Sequence, residues 1–224
     1  MNKAILFAGS FLRSLPNFKG KHRVGRILQK IFPTDNLENE VKIRMKEGFT
    51  MNLDYRSATN NGAFWTGIYD SELIKKFNLL FDRDAVVLDV GANIGFYSIP
   101  FGKSLDKKGG KGKLYCFEPL KSNYEALVRN VFDNDLSNIA CIYRTALGDT
   151  SGTIELAATE KGKTSNAVLN LNDEYVKGKE YAIELVEIEK LDSLGLHEDL
   201  ERCDFIKVDI EGAEFFFISG GHLF

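Results

Sequence analysis

One short run decides most of what this chain can fold into: Ala85-Val86-Val87-Leu88-Asp89-Val90, followed at once by Gly91-Ala92-Asn93-Ile94-Gly95 and then Phe96-Tyr97-Ser98. The first part is rich in valine and apolar at every position but Asp89, the pattern of a strand buried on both faces. Such a strand belongs to a parallel sheet whose crossover helices cover its two sides. The glycines then open a loop in which backbone N–H groups approach a ligand closely, at the start of a helix. The same grammar repeats downstream. Lys113–Phe117, Asn138–Tyr143 and Phe205–Val208 are further buried runs. Ser122–Asp133 reads as a helix, with Ser122 and Glu125 as a capping box and Tyr124, Leu127, Val128 and Val131 as its buried stripe. Strand, helix and strand in alternation predict an α/β fold with right-handed crossovers. Thr153–Ala157 and Tyr181–Ile188 read as two extra strands, the second packing through Tyr181, Ile183 and Leu185 with its other face wet. Pro100 lies about one turn into the helix after the glycine loop, so that helix is expected to start late or bend near Phe96–Pro100.

Residues 1–70 read as an N-terminal extension and 71–224 as the α/β domain. In the extension, Val24, Ile27, Leu28, Ile31 and Phe32 recur at helical spacing, with Arg23, Arg26 and Lys30 on the other face and Pro33 as the stop. That stripe suits packing on the main domain, or else peripheral docking on a membrane surface or a partner. Val41–Lys46 and Phe49–Asp54 predict a short antiparallel pair turning at Glu47-Gly48. A chain of 224 residues, 44% hydrophobic, can bury a proper core without staples. A net charge of −3 argues against a general polyanion binder, and so against nucleic acid as partner. No apolar run is long enough to span a membrane. Ala4–Leu12 is too short, and too closely followed by Arg13, for a signal peptide. Three scattered cysteines, Cys116, Cys141 and Cys203, point to a reducing, cytoplasmic setting. The three histidines are dispersed and no zinc spacing occurs, so no metal is expected.

The glycine loop departs from the dinucleotide fingerprint. Asn93 stands where the second glycine would be, and Gly95 comes one residue early. The second glycine makes room for a pyrophosphate, which a ligand without phosphates does not need. Asp89, just before the loop, would repel a pyrophosphate but suit an ammonium or sulfonium group. Glu118, 27 residues after Gly91, ends the next strand, where α/β folds keep an acid for ribose hydroxyls. A nucleoside with free ribose hydroxyls and a cationic tail is S-adenosylmethionine. A nicotinamide oxidoreductase is disfavoured by Asn93.

These residues, with Phe117-Glu118-Pro119, Ala146-Leu147-Gly148-Asp149, Leu191-Asp192-Ser193-Leu194 and Ile206-Lys207-Val208-Asp209-Ile210-Glu211-Gly212-Ala213-Glu214, resemble FkbM-type class I methyltransferases. Phe64-Trp65-Thr66-Gly67-Ile68-Tyr69-Asp70 is similar too, although the usual acid there is Glu. The resemblance runs from about residue 40 to the end. It implies a Rossmann-like class I methyltransferase sheet with helices on both faces. It also implies transfer of a methyl group from S-adenosylmethionine to a hydroxyl of a sugar, glycan or polyketide-like molecule. Carried onto this sequence, the cofactor residues are Asp89, Gly91, Asn93, Gly95, Glu118, Ala146 and Asp209. Independently, Asp209 should emerge beside the glycine loop with Glu211 two residues on, a pair able to hold a cation and orient or deprotonate a hydroxyl. Which acid does which is left open, as is the alternative that Glu211 caps its helix. Phe64, Trp65 and Tyr69 could form an aromatic wall over substrate or cofactor, with core packing an equal reading for Phe64. Asp209-Ile210-Glu211-Gly212 lacks the prolines and aromatic ring of enzymes that methylate base amino groups. Class I methyltransferases continue for three more strands after this point. The chain therefore reads as a C-terminally truncated member, active or a non-catalytic module retaining the cofactor cleft.

Overall fold

A computed structural model describes residues 3–32, 40–54, 57–159, 167–168, 181–194 and 203–221. They fall into two compact units, Met1–Glu72 and Leu73–Phe224.

The first unit opens with two helices, α1 (Lys3–Ser14) and α2 (Lys21–Ile31). An antiparallel pair follows, β1 (Val41–Arg44) and β2 (Thr50–Leu53), in which Val41 faces Leu53 and Arg44 faces Thr50. The turn between them is at Gly48, φ +95°, as the Glu47-Gly48 pair predicts. Helix α3 (Ala58–Thr66) is the floor on which α1 and α2 both pack. Gly9 of α1 lies against Phe64, and Gly25 of α2 against Trp65; a Cβ at either glycine would come to 2.9 or 3.0 Å. Phe64 and Trp65 form a T-shaped pair with centroids 5.0 Å apart and are fully buried. They are core of this unit, so the aromatic-wall reading fails for both. The stripe on α2 is also corrected. The helix turns its Gly25 side inward, and Ile27 and Ile31 are exposed. Close approach to Trp65 requires the glycine, and that outweighs burial of two isoleucines.

The second unit is built on a parallel sheet ordered β10-β3-β4-β5. Its strands are β3 (Val86–Val90), β4 (Lys113–Phe117), β5 (Ala140–Tyr143) and β10 (Phe205–Val208), all four where the apolar runs place them. Alternation sends Leu88, Val90, Tyr115 and Phe117 to one face, where they meet Leu191 and Phe217. The opposite face carries Phe205, whose ring lies 5.6 Å from Phe101 of helix α5 (Ser98–Lys108). Phe77, in helix α4 (Ser71–Phe77), joins the same aromatic group. Helix α7 (Glu214–Ser219) supplies Phe217, so both faces are covered, as β-runs without polar alternation require. Pro100 sits in the first turn of α5, where a missing N–H costs no helix bond.

Helix α6 (Lys121–Asp133) packs on β5. Leu120 is its N-cap and makes no side-chain cap bond, and the Glu184 carboxylate accepts from Lys121 N–H at 3.0 Å, so the Ser122–Glu125 box is not the cap. Its inward face is Asn123, Ala126, Leu127, Asn130 and Val131, and Val128 is exposed. The stripe is rotated because asparagines with buried work to do replace apolar residues on it.

A second sheet, ordered β6-β9-β7-β8, comprises β6 (Ala146–Leu147), β7 (Gly152–Thr159), β8 (Ala167–Val168) and β9 (Tyr181–Glu189). The two extra strands pair antiparallel, Gly152 facing Ile188. The parity of β9 is the reverse of that expected. Val186 and Ile188 are buried, with Val186 on Leu120 and Leu156, and Ile183 and Leu185 face solvent.

Candidate functional site

In the parallel sheet, successive crossovers run from β3 through β4 to β5, and β10 then returns to the other side of β3. The chain thus reverses direction at β3, and the crevice beyond its carboxyl end is the place where open α/β sheets bind ligands. The glycine loop and the residues after β10 both end there. Asp209 donates its N–H to the Val90 carbonyl at 3.1 Å. A Cβ on Gly91, φ +74°, would stand 2.1 Å from the Asp209 carbonyl oxygen. Only glycine allows the two strand ends to close this far.

The loop's donors are not available to a ligand. Gly91 and Ala92 both donate to the Phe117 carbonyl, at 3.0 and 2.9 Å, and Gly95 donates to Ala92 at 2.9 Å. Ile94 donates to the side chain of Asn93, at 2.8 Å. Asn93, φ +51°, donates to Glu118 Oε2 at 2.8 Å. All five N–H groups from Gly91 to Gly95 are therefore satisfied inside the protein, and a phosphate would find none of them. Asn130 of α6 secures the loop from behind by donating to the Ile94 carbonyl at 2.8 Å.

Glu118 is buried at the end of β4. Its Oε1 accepts from Leu120 N–H at 3.0 Å and from Asn123 at 3.2 Å. Burial pushes the carboxyl up to about 7, against the pull of these donors. A carboxyl so placed is held to within one rotamer, with its Oε2 edge on the glycine loop.

Asp89 is fully buried beneath the loop, where Ser98 donates to its Oδ2 at 2.5 Å and the Lys207 ammonium stands 3.1 Å from Oδ1. The second contact is an ion pair by distance alone, since Oδ1 accepts no well-aligned hydrogen bond. Its charge is neutralised there rather than free for a ligand's cation. Lys207 faces Asp89 in the strand register, donates to the Gly91 carbonyl at 2.9 Å and lies 3.9 Å from Asp209 Oδ2. The Tyr97 ring is 5.1 Å from its ammonium. Sequence reasoning missed Lys207. A lysine between Ile206 and Val208 in a two-sided buried strand needs a carboxylate on the adjacent strand, and Asp89 was that signal.

Asp209 and Glu211 are exposed at the crevice mouth. Burial first, then the charges of Asp209 and Glu214, push the Glu211 carboxyl up from its ordinary value. Its φ is +53°, an uncommon conformation for a residue with a side chain. Glu211 is not the helix cap. Glu214, the first residue of α7, accepts from Gly212 N–H at 3.2 Å and from Ile210 N–H at 3.4 Å; its own backbone N–H first, then these bonds, hold its carboxyl below the ordinary value. Ala146 packs against the Leu120, Leu156 and Val186 cluster, where Leu120 lies two residues after Glu118. Among the described residues, no group of three or more His, Cys, Asp or Glu is placed to hold a metal ion.

The family profile described as the methyltransferase FkbM domain matches residues 89–223, more than half of the chain. The chain belongs to the FkbM methyltransferase domain family. A curated relative, methyltransferase sdnD of Sordaria araneosa, is 30% identical over 158 residues, which cover 60% of this chain and 59% of that protein. The chain thus spans about three fifths of the relative's length. Among solved structures, methyltransferase FkbM from Methylobacillus flagellatus is similar, with 18% identity, TM-score 0.41, and 62% of this chain and 29% of that one covered. M. jannaschii TYW2, solved with AdoMet, is 20% identical at TM-score 0.36, covering 55% of this chain and 65% of its own. For the FkbM methyltransferase domain, the matched segment begins at Asp89 and contains every residue of the crevice described above.

Proposed function

We propose that this FkbM domain transfers a methyl group from S-adenosylmethionine to a hydroxyl oxygen of a sugar, glycan or polyketide-like acceptor. The observation that carries the reading is the saturation of every backbone donor from Gly91 to Gly95. A crevice with no donors free at the loop and acids on both sides suits a ligand with hydroxyls and a positive charge, and rejects a pyrophosphate. S-adenosylmethionine, when bound, supplies the methyl group on a sulfonium.

The residues divide the remaining work. Glu118 accepts from the ribose hydroxyls through its Oε2 edge. Asn93 holds the loop against it. Asp89 and Lys207 form the floor that fixes Gly91. Asp209 and Glu211 attract the cation to the mouth, orient the acceptor hydroxyl and take its proton. Holding acceptor oxygen and methyl in line supplies much of the rate, since alignment can be worth ~7–11 kcal/mol.

The test is calorimetric titration of the full chain with S-adenosylhomocysteine and with NAD, followed by methyl transfer to a panel of glycans. Binding of the first ligand alone supports the reading, and binding of NAD alone would overturn it. Asp209→Asn and Glu211→Gln are nearly isosteric. At least one should lower turnover by roughly a hundredfold or more while the urea midpoint stays put. Wild-type turnover in both would remove the pair from the chemistry.

A further inference from the structure

We propose that the α1–α2 layer of the N-terminal unit docks on an anionic phospholipid surface. Two observations on different residues carry it. The first is apolar exposure. Phe7 and Phe11 on α1, Phe18 at the turn, and Ile27 and Ile31 on α2 are 75%, 59%, 45%, 57% and 62% exposed. Each pair within a helix is spaced four residues apart, so each helix carries an apolar ridge on the side away from α3. Burying large aromatic and aliphatic groups is the normal fate of such ridges, and an exposed set of them marks a surface that meets something else.

The second is charge. From Lys3 to Phe32 the chain has Lys3, Arg13, Lys19, Lys21, Arg23, Arg26 and Lys30 and no aspartate or glutamate, although the whole chain carries a net −3. Two of these cations turn inward. Lys21 donates to the Leu15 carbonyl at 2.8 Å, and Arg13 donates to the Phe64 carbonyl. The other five are exposed. On α2, helical spacing puts Arg23, Arg26 and Lys30 beside Ile27 and Ile31, opposite the buried Gly25. An ordinary solvated helix mixes signs. A face of cations around apolar side chains is complementary to a bilayer of anionic lipids, with headgroups for the ammonium and guanidinium groups and acyl chains for Phe and Ile. Association with a second copy would set one all-cationic face against another. No helix among the described residues is long and apolar enough to cross a membrane, so the contact is a peripheral one.

The experiment is co-sedimentation of the full chain with vesicles of phosphatidylcholine alone and of phosphatidylcholine with phosphatidylglycerol, at low and high salt. Binding to the anionic vesicles only, weakened at least tenfold by high salt, supports the proposal. The triple variant R23E/R26E/K30E should lose at least roughly a hundredfold in partitioning, and F7S/F11S at least tenfold, with circular dichroism as the check on folding. The salt titration of the unaltered chain keeps the test decisive where a variant misfolds. No binding to anionic vesicles, equal binding to both kinds, retention by duplex nucleic acid instead, or a dimer in solution that protects Phe7 and Phe11 would each overturn it. Methyl transfer is not a readout, so the result stands apart from the catalytic reading.

Discussion

The two walls of the crevice are built in opposite ways. On the β4 side, Glu118 is buried, accepts three hydrogen bonds and faces a loop whose own donors are all taken. On the β10 side, Asp209 and Glu211 stand exposed, with Glu211 in a left-handed conformation. A wall with its polar groups already paired has one shape and can only select. A wall with exposed acids keeps free acceptors, which is what moving a proton from a hydroxyl requires. Between them, Lys207 belongs to both. It neutralises Asp89 under the first wall and approaches Asp209 of the second.

The largest effect should come from removing that link. Lys207→Met would leave Asp89 charged and uncompensated in a fully buried site, a loss of roughly 3–5 kcal/mol in urea unfolding. Adding Asp89→Asn should restore part of it, because the two changes act on one interaction. A Lys207→Met chain as stable as the parent would mean that the walls are not joined through this pair. Next is Gly91→Ala. The added methyl meets the Asp209 carbonyl oxygen at 2.1 Å and φ is +74°, so the strand ends must part, at about 2–3 kcal/mol. Cofactor affinity should fall with it, read by S-adenosylhomocysteine titration.

What could be read from sequence follows the same division. The four parallel strands were legible because Val87, Leu114, Ile142 and Ile206 belong to short, mostly apolar runs set between helical segments; β3 and β4 are buried, and the outer strands β5 and β10 are half-buried. The place of Glu118 at the end of β4 was legible from its distance after Gly91. The buried polar groups were not. Asn123, Asn130 and Lys207 look like surface residues until the loop they hold is known, and they rotated α6 and hid the fate of Asp89. Parity failed on β9 for a related reason. Tyr181, Ile183 and Leu185 alternate, but so do Ala182, Glu184, Val186 and Ile188, and only the packing of Val186 on Leu120 decides between the two faces.

The selecting wall can be sharpened at Glu118. Glu118→Ala should weaken S-adenosylhomocysteine by ~1.5–3 kcal/mol, or roughly ten- to hundredfold. The same residue makes a pH prediction. Its folded carboxyl titrates at about 7 against an ordinary 4.5, so the native state binds the extra proton between those values. The stability it contributes is fully present below about pH 4.5 and is lost as pH rises through about 7. The urea midpoint of the parent should fall over that window relative to Glu118→Gln, whose side chain does not titrate. Parallel curves would mean that the carboxyl is not buried in this way.

The smallest expected effect is on the other wall, at Glu211. A side chain at φ +53° costs about 1–2 kcal/mol relative to the right-handed region. Glycine takes that conformation freely but gains freedom in the unfolded chain, worth about 0.4–1 kcal/mol in the other direction. Glu211→Gly should therefore leave stability unchanged or raise it by up to about 1.6 kcal/mol. Its neighbour Gly212, φ +94°, already has the same kind of backbone, so the turn into α7 has no other reason to require a side chain at 211. The Glu214 bonds to Ile210 and Gly212 hold that turn without it. If Glu211 serves chemistry, Glu211→Gly separates the two readouts, with a level or higher urea midpoint and reduced methyl transfer. A destabilised Glu211→Gly chain would instead make the residue part of the wall's structure, and the contrast between a paired wall and a free one would be lost.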